Sequence, residues 1–433
     1  MKKKLVIFEL NEFDYNFFLY GSRKYNFPEI KKFFNLKKKQ TITKDKKEGF
    51  NLDPWVQWVS AHTGKSSKDH KVFRIGQVLN KKIKQVWEKL PQKKSVSIWG
   101  LFNSNLRKKK NIDLFYPDPW SFTQRAFPAD LNSFLALPRY YARNYPKFNF
   151  LYVLKYSLIL LKKIIFSKIF LYVCKNFVNF LIIFFKSGIK SFNIYFIFDL
   201  FSLILLNQNL NKKKSDLTII GLNSFAHYQH NYWNKPEYEK IYFWYLNQMI
   251  LQMKQIAKNY ENIIIFNGFS QKKVKVKYYP RIINQEKFFK DLNINMKKHE
   301  INMTTGGTIY FKNLYEKKNA MDILKQAAFL NKRLFYVSDF KKQKKIFYSL
   351  NIVFLNKFKF EEISKLNKSK IRNSKQLFDK IINNTKFSQS TSRHINKGII
   401  FFSPKIKLKQ SYFIKKNFYN QKFFNLIIDL FKQ

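Results

Sequence analysis

Cysteine is almost missing from this chain, because Cys174 is the only one among 433 residues. A single cysteine excludes an intrachain disulfide and agrees with a reducing compartment, so the fold must be held by a hydrophobic core. Hydrophobic residues make up 45% of the sequence, which excludes a disordered protein. A chain of this length has room for one large domain or for two to three small ones.

Acidic residues are scarce as well. Asp and Glu number 27 against 82 Lys and Arg, so the formal net charge is +55. This charge is typical of proteins that bind nucleic acid or an anionic membrane. Arginine, however, occurs only ten times, and specific contacts to phosphates and bases favour its planar guanidinium over lysine. The composition therefore argues against specific nucleic-acid binding and favours a solvated lysine-rich surface, with generic polyanion binding as the competing hypothesis.

Long uncharged apolar runs are also absent, since none reaches the roughly 18–20 residues that span a bilayer. The N-terminal run 5–10 is too short for a signal-peptide core and contains Glu9, so a cytoplasmic location is expected. Residues 147–210 are strongly apolar but are interrupted by lysines, which are Lys155, Lys162, Lys163, Lys168, Lys175, Lys186 and Lys190. Two interpretations remain open. The segment is either a helical insertion that packs on the core or forms a lid, or a set of interfacial helices on an anionic membrane surface, at its inner face.

Short β-branched or aromatic runs recur along the chain with helix-length segments between them. They occupy residues 5–10, 95–100, 216–222, 262–268, 308–313, 333–339 and 398–404. Near-continuous apolar strands separated by helices indicate a parallel sheet covered on both faces. We therefore predict an α/β fold, doubly wound and mostly parallel, with 1–146 and 211–433 forming the core and 147–210 the helical insertion. The segment 422–431 has helical spacing and is expected to dock on the core.

Ligands of such sheets bind at the carboxyl ends of the strands. Polar residues follow several predicted strands, and they are Glu9, Asn11, Asn103, Asn223, His227 and Asn267. His227 and His230 are three residues apart and would share one helix face. That spacing suits a metal site, and it suits a structural histidine pair equally well.

The stretch 52–70, LDPWVQWVSAHTGKSSKDH, carries the most specific pattern of the chain. It follows the first strand, contains Thr63-Gly64 and ends at His70. This arrangement resembles the nucleophile segment of the alkaline-phosphatase superfamily, which includes phosphodiesterases, nucleotide pyrophosphatases and sulfatases. In that family a Thr, Ser or Cys opens the helix nine residues before the Thr of Thr-Gly. Here Pro54 occupies that position, beside Asp53, so the resemblance implies the fold without the usual nucleophile.

The resemblance continues after the later strands. Where the family places an Asp after strand one, this chain has Glu9 or Asn11. Its Asp-x-x-x-His corresponds to Asn223 and His227, its Asp-His-Gly corresponds to Asn267-Gly268, and His394 matches the final His. The resemblance implies at most one metal site with zinc or manganese, built from Glu9, Asn11, Asn223, His227 and His394. A second site would lack its charged and imidazole ligands and is expected to be lost.

Two functions are compatible with the resemblance. The first is a metal-dependent enzyme, a variant phosphoester or sulfoester hydrolase or group transferase. Asp53 would be its substitute nucleophile or base, and Gln57 and Asn267 would orient substrate oxygens. The second is a non-catalytic scaffold of the same fold that binds a small phosphorylated, sulfated or glycan ligand, with or without a membrane. The remaining candidates for ligand contacts are Trp55, Trp58 and Asn103, and core packing is the alternative role of the two indoles.

Overall fold

The computed structural model describes residues 4–43, 52–107, 110–144, 149–188, 190–282, 284–301, 306–329, 332–340, 343–351 and 385–432. The chain forms two compact units, one of Met1–Val274 with Thr391–Gln433 and one of Lys275–Ser390. The segment 147–210 lies in the first unit. The sequence does not separate the second unit, and the predicted boundary between core and insertion stays a prediction.

The described strands and helices are numbered along the chain. The strands are β1 (Leu5–Leu10), β2 (Lys37–Ile42), β3 (Val96–Trp99), β4 (Ile112–Tyr116), β5 (Leu217–Leu222), β6 (Asn262–Asn267), β7 (Ser270–Ile282), β8 (Lys298–Ile301), β9 (Gly306–Tyr310), β10 (Ala328–Phe329), β11 (Lys332–Arg333), β12 (Phe335–Asp339), β13 (Lys345–Leu350), β14 (Thr385–Ile395), β15 (Lys397–Phe402), β16 (Phe413–Ile414) and β17 (Asn417–Tyr419). The helices are α1 (Tyr15–Lys24), α2 (Pro28–Phe33), α3 (Pro54–Thr63), α4 (Ser67–His70), α5 (Asn132–Asn144), α6 (Phe150–Ile165), α7 (Lys168–Lys175), α8 (Phe177–Ser187), α9 (Ser191–Leu210), α10 (Ser224–Tyr232), α11 (Glu239–Ala257), α12 (Gln285–Asp291), α13 (Leu314–Gln326) and α14 (Lys422–Lys432).

A nine-stranded sheet with the order β16-β17-β2-β15-β6-β1-β5-β3-β4 forms the centre of the first unit. The five strands from β6 to β4 run parallel, and β1 lies between two apolar partners, with Ile7 opposite both Ile219 and Ile264. β15 is antiparallel to β6 and to β2. The predicted α/β class with a mostly parallel central sheet is confirmed.

Both faces of this sheet are covered by helices, as a buried parallel sheet requires. Alternate residues of β1 point to opposite sides, so Val6 and Phe8 join one hydrophobic cluster while Leu5 and Ile7 join the other. Helices α1, α2, α9, α10 and α11 contribute to the first cluster, and α3 and α14 contribute to the second. Docking of the C-terminal helix on the core is as predicted, because Leu426 is buried in that second cluster.

The second unit contains a separate antiparallel sheet with the order β12-β13-β9-β8. Its core includes Ile309 and Phe335 together with Phe288, Phe289 and Leu324 of the neighbouring helices. The runs 308–313 and 333–339, which were expected in the parallel sheet, are β9 and β12 of this antiparallel sheet, so that prediction was wrong. A short apolar run has the same composition in a parallel and in an antiparallel sheet. Contacts with residues far away in the sequence decide which strand it pairs with.

The helices of segment 147–210 differ in their environment. α9 buries nine residues, among them Phe196, whose ring stacks on Tyr245 at 5.2 Å between centroids. α6, by contrast, buries none of its residues. By length and composition alone α9 could cross a membrane, and α7 with α8 could do so jointly although they are bent by 67°. The packing of α9 is that of a core helix.

Candidate metal-binding site

The chain leaves β1 through Asn11 and Glu12 at the carboxyl end of the parallel sheet. Glu12 has a φ of +58°, in the left-handed region that residues other than glycine rarely adopt. Its side chain is nevertheless fully buried. Backbone strain of this kind concentrates at functional sites, where the surrounding structure holds it in place. The turn therefore positions a buried carboxylate at the edge where ligands of α/β sheets bind.

Two imidazoles meet this carboxylate. The Oε2 atom of Glu12 lies 2.9 Å from Nε2 of His230 in α10 and 2.9 Å from Nε2 of His394 in β14. The two Nε2 atoms are 3.4 Å apart. In the described part of the chain, these three residues form the group whose ligand-type atoms all lie within 4.8 Å of one another. The imidazoles keep 29% and 20% of their side-chain surface exposed, so the cluster can be reached from solvent.

The charges of this cluster depend on one another. Burial disfavours ionisation of Glu12, but the charges and hydrogen bonds of His394 and His230 outweigh it and hold the pKa of Glu12 well below its usual value. Burial acts to lower the pKa of His394, but Glu12, with a smaller contribution from Asp53, raises it above its usual value. The structure thus stabilises an ionised carboxylate that attracts cations, whether protons or a metal.

The side chains of Gln271 and Ser392 hold Glu12 and His230 in place by hydrogen bonds. Gln271 donates a hydrogen bond to Oε2 of Glu12, and its own carbonyl accepts a hydrogen bond of 2.6 Å from Oγ of Ser392. Because Ser392 donates its single proton to Gln271, its oxygen accepts from Nδ1 of His230 at 3.1 Å. A neutral His230 therefore carries its proton on Nδ1 and turns the lone pair of Nε2 toward Glu12. Supporting bonds of this kind fix the tautomer of metal-binding histidines.

The donor set fits a divalent ion. One carboxylate oxygen and two imidazole Nε2 atoms converge, and at 2.9 Å each nitrogen shares either a proton or a metal ion with the Glu12 oxygen. One Glu with two His is a ligand set of catalytic zinc sites, which leave a fourth position open. Buried polar support and partial exposure of the imidazoles agree with such a site.

Asp53 lies next to the cluster. It precedes α3 at the N-cap position, but its side chain makes no capping hydrogen bond. Its Oδ1 atom lies instead 3.8 Å from Nδ1 of His394, on the other side of the ring from Glu12. Burial raises the pKa of Asp53 to about 7, the charge of His394 opposes this shift, and the charge of Glu12 adds to it. A carboxyl group that titrates near neutral pH thus lies within reach of the imidazole.

Three of the residues selected from the sequence form a hydrogen-bonded chain beside the cluster. The side-chain amide of Asn11 donates to Oε1 of Glu12 at 3.0 Å and to Oδ1 of Asn223 at 2.7 Å. Asn223 in turn lies 3.2 Å from Nε2 of His227. The ring of His227 stacks on Tyr195 with 3.4 Å between centroids. The metal role of Asn11, Asn223 and His227 stays a prediction, and His394 is the selected residue that enters the cluster.

Glu9 has a different partner. Both of its carboxylate oxygens contact Nε2 of His62 in α3, at 2.8 and 3.0 Å, and both side chains are buried. The rings of Trp58 and Trp87 lie beside that imidazole. The alternation of β1 explains this arrangement, because Glu9 points to the same side as Ile7, toward α3.

The other selected residues hold the backbone around the sheet edge. Trp55 Nε1 donates to the carbonyl of Phe73, and Trp58 Nε1 donates to Oδ1 of Asn11. Asn103 bonds the backbone of Gly76, Arg74 and Trp55. These contacts are those of packing and loop support, and a role of Trp55, Trp58 or Asn103 in ligand binding stays a prediction.

Asn267 and Gly268, which stand at the position of the expected second metal site, both contact other parts of the protein. Asn267 donates to the carbonyl of Phe13 and accepts from the amide of Ile399. A Cβ atom at Gly268 would lie 2.9 Å from Nδ2 of Asn420, so Asn420 occupies the space next to this glycine. Asn420 also donates to Oε1 of Gln57 at 3.3 Å. The proposed substrate contacts of Gln57 and Asn267 stay predictions.

Sequence reasoning missed Glu12 and used His230 only as a neighbour of His227. A signal was present for both. Glu12 stands at the end of ELNE, directly after the first strand, and His230 lies three residues beyond His227 on the same helix. The sequence alone does not show which of the two imidazoles points toward the carboxylate.

No protein-family model matches the chain, and no curated protein matches its sequence. Its structure is similar to human ectonucleotide pyrophosphatase/phosphodiesterase 5, with 9% identity, a TM-score of 0.44 and coverage of 99% of this chain and 95% of that chain. An inactive variant of the murine protein in complex with AMP gives 8% identity, a TM-score of 0.46 and the same coverage. Phosphonoacetate hydrolase from Sinorhizobium meliloti 1021, in complex with phosphonoformate, gives 9% identity, a TM-score of 0.44 and coverage of 99% and 96%.

These solved structures belong to the alkaline-phosphatase superfamily, which is the family that the sequence motifs resemble. At these identities and TM-scores the likeness assigns no activity and no residue role to this chain.

Proposed function

We propose that this protein is a hydrolase of small phosphorylated compounds that uses one divalent ion, zinc or manganese, held by Glu12, His230 and His394. The observation that carries the proposal is the convergence of one buried carboxylate and two imidazoles at the carboxyl end of the parallel sheet. When bound, the ion supplies Lewis-acid polarisation of a phosphoryl oxygen. The strongly positive chain favours the approach of an anionic substrate.

Each residue around the ion has a separate role. Glu12 supplies the negative charge of the site, and Gln271 and Ser392 hold Glu12 and His230 in place. Asp53 accepts a proton from an attacking water molecule, because its carboxyl group lies beside the cluster, 3.8 Å from Nδ1 of His394. Direct attack by water is the proposed route since Pro54, the first residue of α3, has no nucleophilic side chain.

Metal content of the purified protein tests the proposal. Wild type is expected to hold one zinc or manganese ion per chain and to hydrolyse nitrophenyl phosphate esters. His230→Ala should lose both the ion and the activity, since it removes one of three ligands. The matched control is His227→Ala, which removes the other imidazole of α10 and should keep the ion. Loss of the ion in His227→Ala with retention in His230→Ala would contradict this ligand set.

Nitrophenyl sulfate is the second substrate in the same assay, since a sulfoester hydrolase would use the same residues. A group transferase would show faster consumption of the phosphate ester when an alcohol acceptor is added.

A non-catalytic scaffold is the second candidate function. It is favoured by the proline at the nucleophile position and by Asn420, which fills the space beside Gly268. This scaffold would bind a small phosphorylated, sulfated or glycan ligand without turning it over. Protein that contains no metal and hydrolyses neither ester, but is stabilised against heat by AMP, would support the scaffold against the enzyme.

A further inference from the structure

The helices α6, α7 and α8 expose an unusual amount of apolar surface. Along the described chain, 24 large hydrophobic side chains are exposed, and 17 of them lie between Phe150 and Phe185. α6 buries no residue, α7 buries only Ile169, and α8 buries Ile183 and Ser187. Water-soluble surfaces rarely carry a contiguous patch of this kind unless it serves an interaction. We call the exposed side of these three helices the 150–185 surface.

The exposed apolar residues follow the helical repeat. On α6, the side chains Leu151, Leu154, Leu158, Leu161 and Ile165 are exposed at alternating spacings of three and four. The half-buried side chains of the same helix, such as Leu160 and Ile164, pack against the core instead. On α8, Val178, Leu181 and Phe185 repeat the outward pattern. The helices are therefore apolar on the face that points away from the protein.

The charges of the 150–185 surface are of one sign. Residues 149–190 contain seven lysines and neither aspartate nor glutamate. Six of these lysines are exposed, and they are Lys155, Lys162, Lys163, Lys168, Lys175 and Lys186. Lysines beside exposed Leu and Phe form the pattern of helices that lie in the headgroup region of an anionic bilayer. There the apolar side chains enter the acyl boundary, and the lysine ammonium groups at the ends of their apolar stems reach the phosphates.

We propose that the 150–185 surface docks this protein on an anionic lipid bilayer. A bilayer offers an apolar interior for the exposed Leu, Ile and Phe side chains and negative headgroups for the exposed lysines. A second copy of this surface would bring its own lysines against the first set without any acidic partner, so self-association is disfavoured by charge. The cytoplasmic location expected from the sequence would place the docking site at the inner leaflet, where anionic lipids concentrate.

Flotation of the full-length protein with lipid vesicles tests the proposal. Wild type should float with vesicles of phosphatidylcholine and phosphatidylserine, more weakly with phosphatidylcholine alone, and more weakly as salt is raised. The variant Leu158→Glu with Phe185→Glu should partition at least about tenfold less, because two apolar side chains no longer enter the acyl region. Both positions are exposed, so the change spares the core.

The matched control carries the same charge change outside the surface. Leu314→Glu with Tyr315→Glu replaces two exposed apolar residues of α13 and should float like wild type. Equal flotation of wild type and the Leu158→Glu, Phe185→Glu variant would overturn the proposal. So would sedimentation of lipid-free wild type as a dimer that this variant converts to a monomer, because the surface would then bind a second copy.

Cys174 provides an independent measurement. It is exposed in α7 and is the chain's only cysteine. A polarity-sensitive fluorophore attached to it should shift to the blue when anionic vesicles are added. An unchanged spectrum in vesicle-bound protein would show that another surface makes the contact. Metal content is measured without lipid, so failure of the docking proposal leaves the proposed hydrolase activity untouched.

Discussion

The Nε2 atom of His394 lies 2.9 Å from the Oε2 atom of Glu12. This contact joins the turn after the first strand to a strand near the end of the chain, and it brings His230 and Asp53 to the same place. The candidate site therefore forms only when the sheet is assembled. Its charges then respond to pH and to cations as one unit.

Replacement of Asp53 should change how stability depends on pH. Burial raises the pKa of Asp53 from its usual 3.8 to about 7, so the folded protein binds a proton that the unfolded chain has released between these values. Its contribution to stability is present below the unfolded pKa and is lost as pH rises through the folded pKa. Asp53→Asn should therefore gain stability relative to wild type on going from about pH 5 to about pH 8, by on the order of a few kcal/mol.

Urea unfolding in the presence of a chelator measures this difference without a contribution from metal binding. Asp130→Asn, at an exposed position, serves as the control and should follow the wild-type pH dependence. The same slope in Asp53→Asn and wild type would show that the Asp53 carboxyl is not protonated by burial.

Removal of the Ser392 hydroxyl should weaken metal binding without removing a ligand. Ser392→Ala leaves Nδ1 of His230 without its partner at 3.1 Å, so the ring and its tautomer are no longer held. Loss of such supporting bonds typically lowers metal affinity by roughly 10- to 100-fold. Competition with a chelating dye measures the affinity. Ser104→Ala, which removes another buried hydroxyl that bonds the carbonyl of Leu101, should keep the wild-type value.

Substitution of two glycines with a positive φ distinguishes the clash of an added Cβ atom from the cost of the backbone conformation. A Cβ at Gly100 (φ +70°) would lie 2.6 Å from the carbonyl oxygen of Gly221 in β5, while a Cβ at Gly188 (φ +61°) would meet nothing within 4 Å. Gly188→Ala should cost about 1–3 kcal/mol for the backbone conformation alone, because φ +61° with ψ −162° is nearly restricted to glycine. Gly100→Ala should cost about 1–3 kcal/mol more, because the strands must move apart. Chemical denaturation measures both, and equal losses would contradict the close approach of Gly100 to Gly221.

Two leucines distinguish the core helix α9 from the surface helix α6. Leu200 is fully buried and Leu158 is 56% exposed. Leu200→Ala should lower the free energy of unfolding by about 2–5 kcal/mol through lost burial and a cavity. Leu158→Ala should change it by no more than about 0.5 kcal/mol. Thermal or urea unfolding of lipid-free protein measures both. A large loss for Leu158→Ala would mean that α6 packs against protein, which would also weaken the membrane proposal.

The parallel sheet was predictable because its strands are apolar along their whole length. The run 5–10 is flanked by 216–222 and 262–268 in the structure, and all three were recognised from their composition. The strand β2 was not recognised, since the first four residues of KKKQTI are polar and exposed and give no apolar strand pattern. The runs 308–313 and 333–339 were recognised as strands but were assigned to the wrong sheet, because pairing depends on partners far away in the sequence.

The residues of the cluster formed by Glu12, His230 and His394 were predictable only in part. His394 was selected because it precedes the strand at 398–404, and Asp53 because it stands beside Pro54. Glu9 was selected because it stands where the resembled family has an Asp after its first strand, and Glu12 was not selected. The structure pairs Glu9 with His62 and places Glu12 beside His230 and His394, since the pleat of β1 points Glu9 toward α3 while the left-handed turn brings Glu12 to the sheet edge.

By itself, the sequence determined that this protein has a covered, mostly parallel sheet, one cysteine, a proline where a nucleophile is expected and an apolar lysine-rich segment at 147–210. These are local properties, which can be read from the composition and from the spacing of residues along the chain. Only the tertiary structure decided which carboxylate meets which imidazoles, that Asn420 fills the space beside Gly268, and that α9 is buried while α6 is exposed. Each of these depends on contacts between residues distant in the chain, and such contacts are set by packing and backbone direction once the sheet has formed.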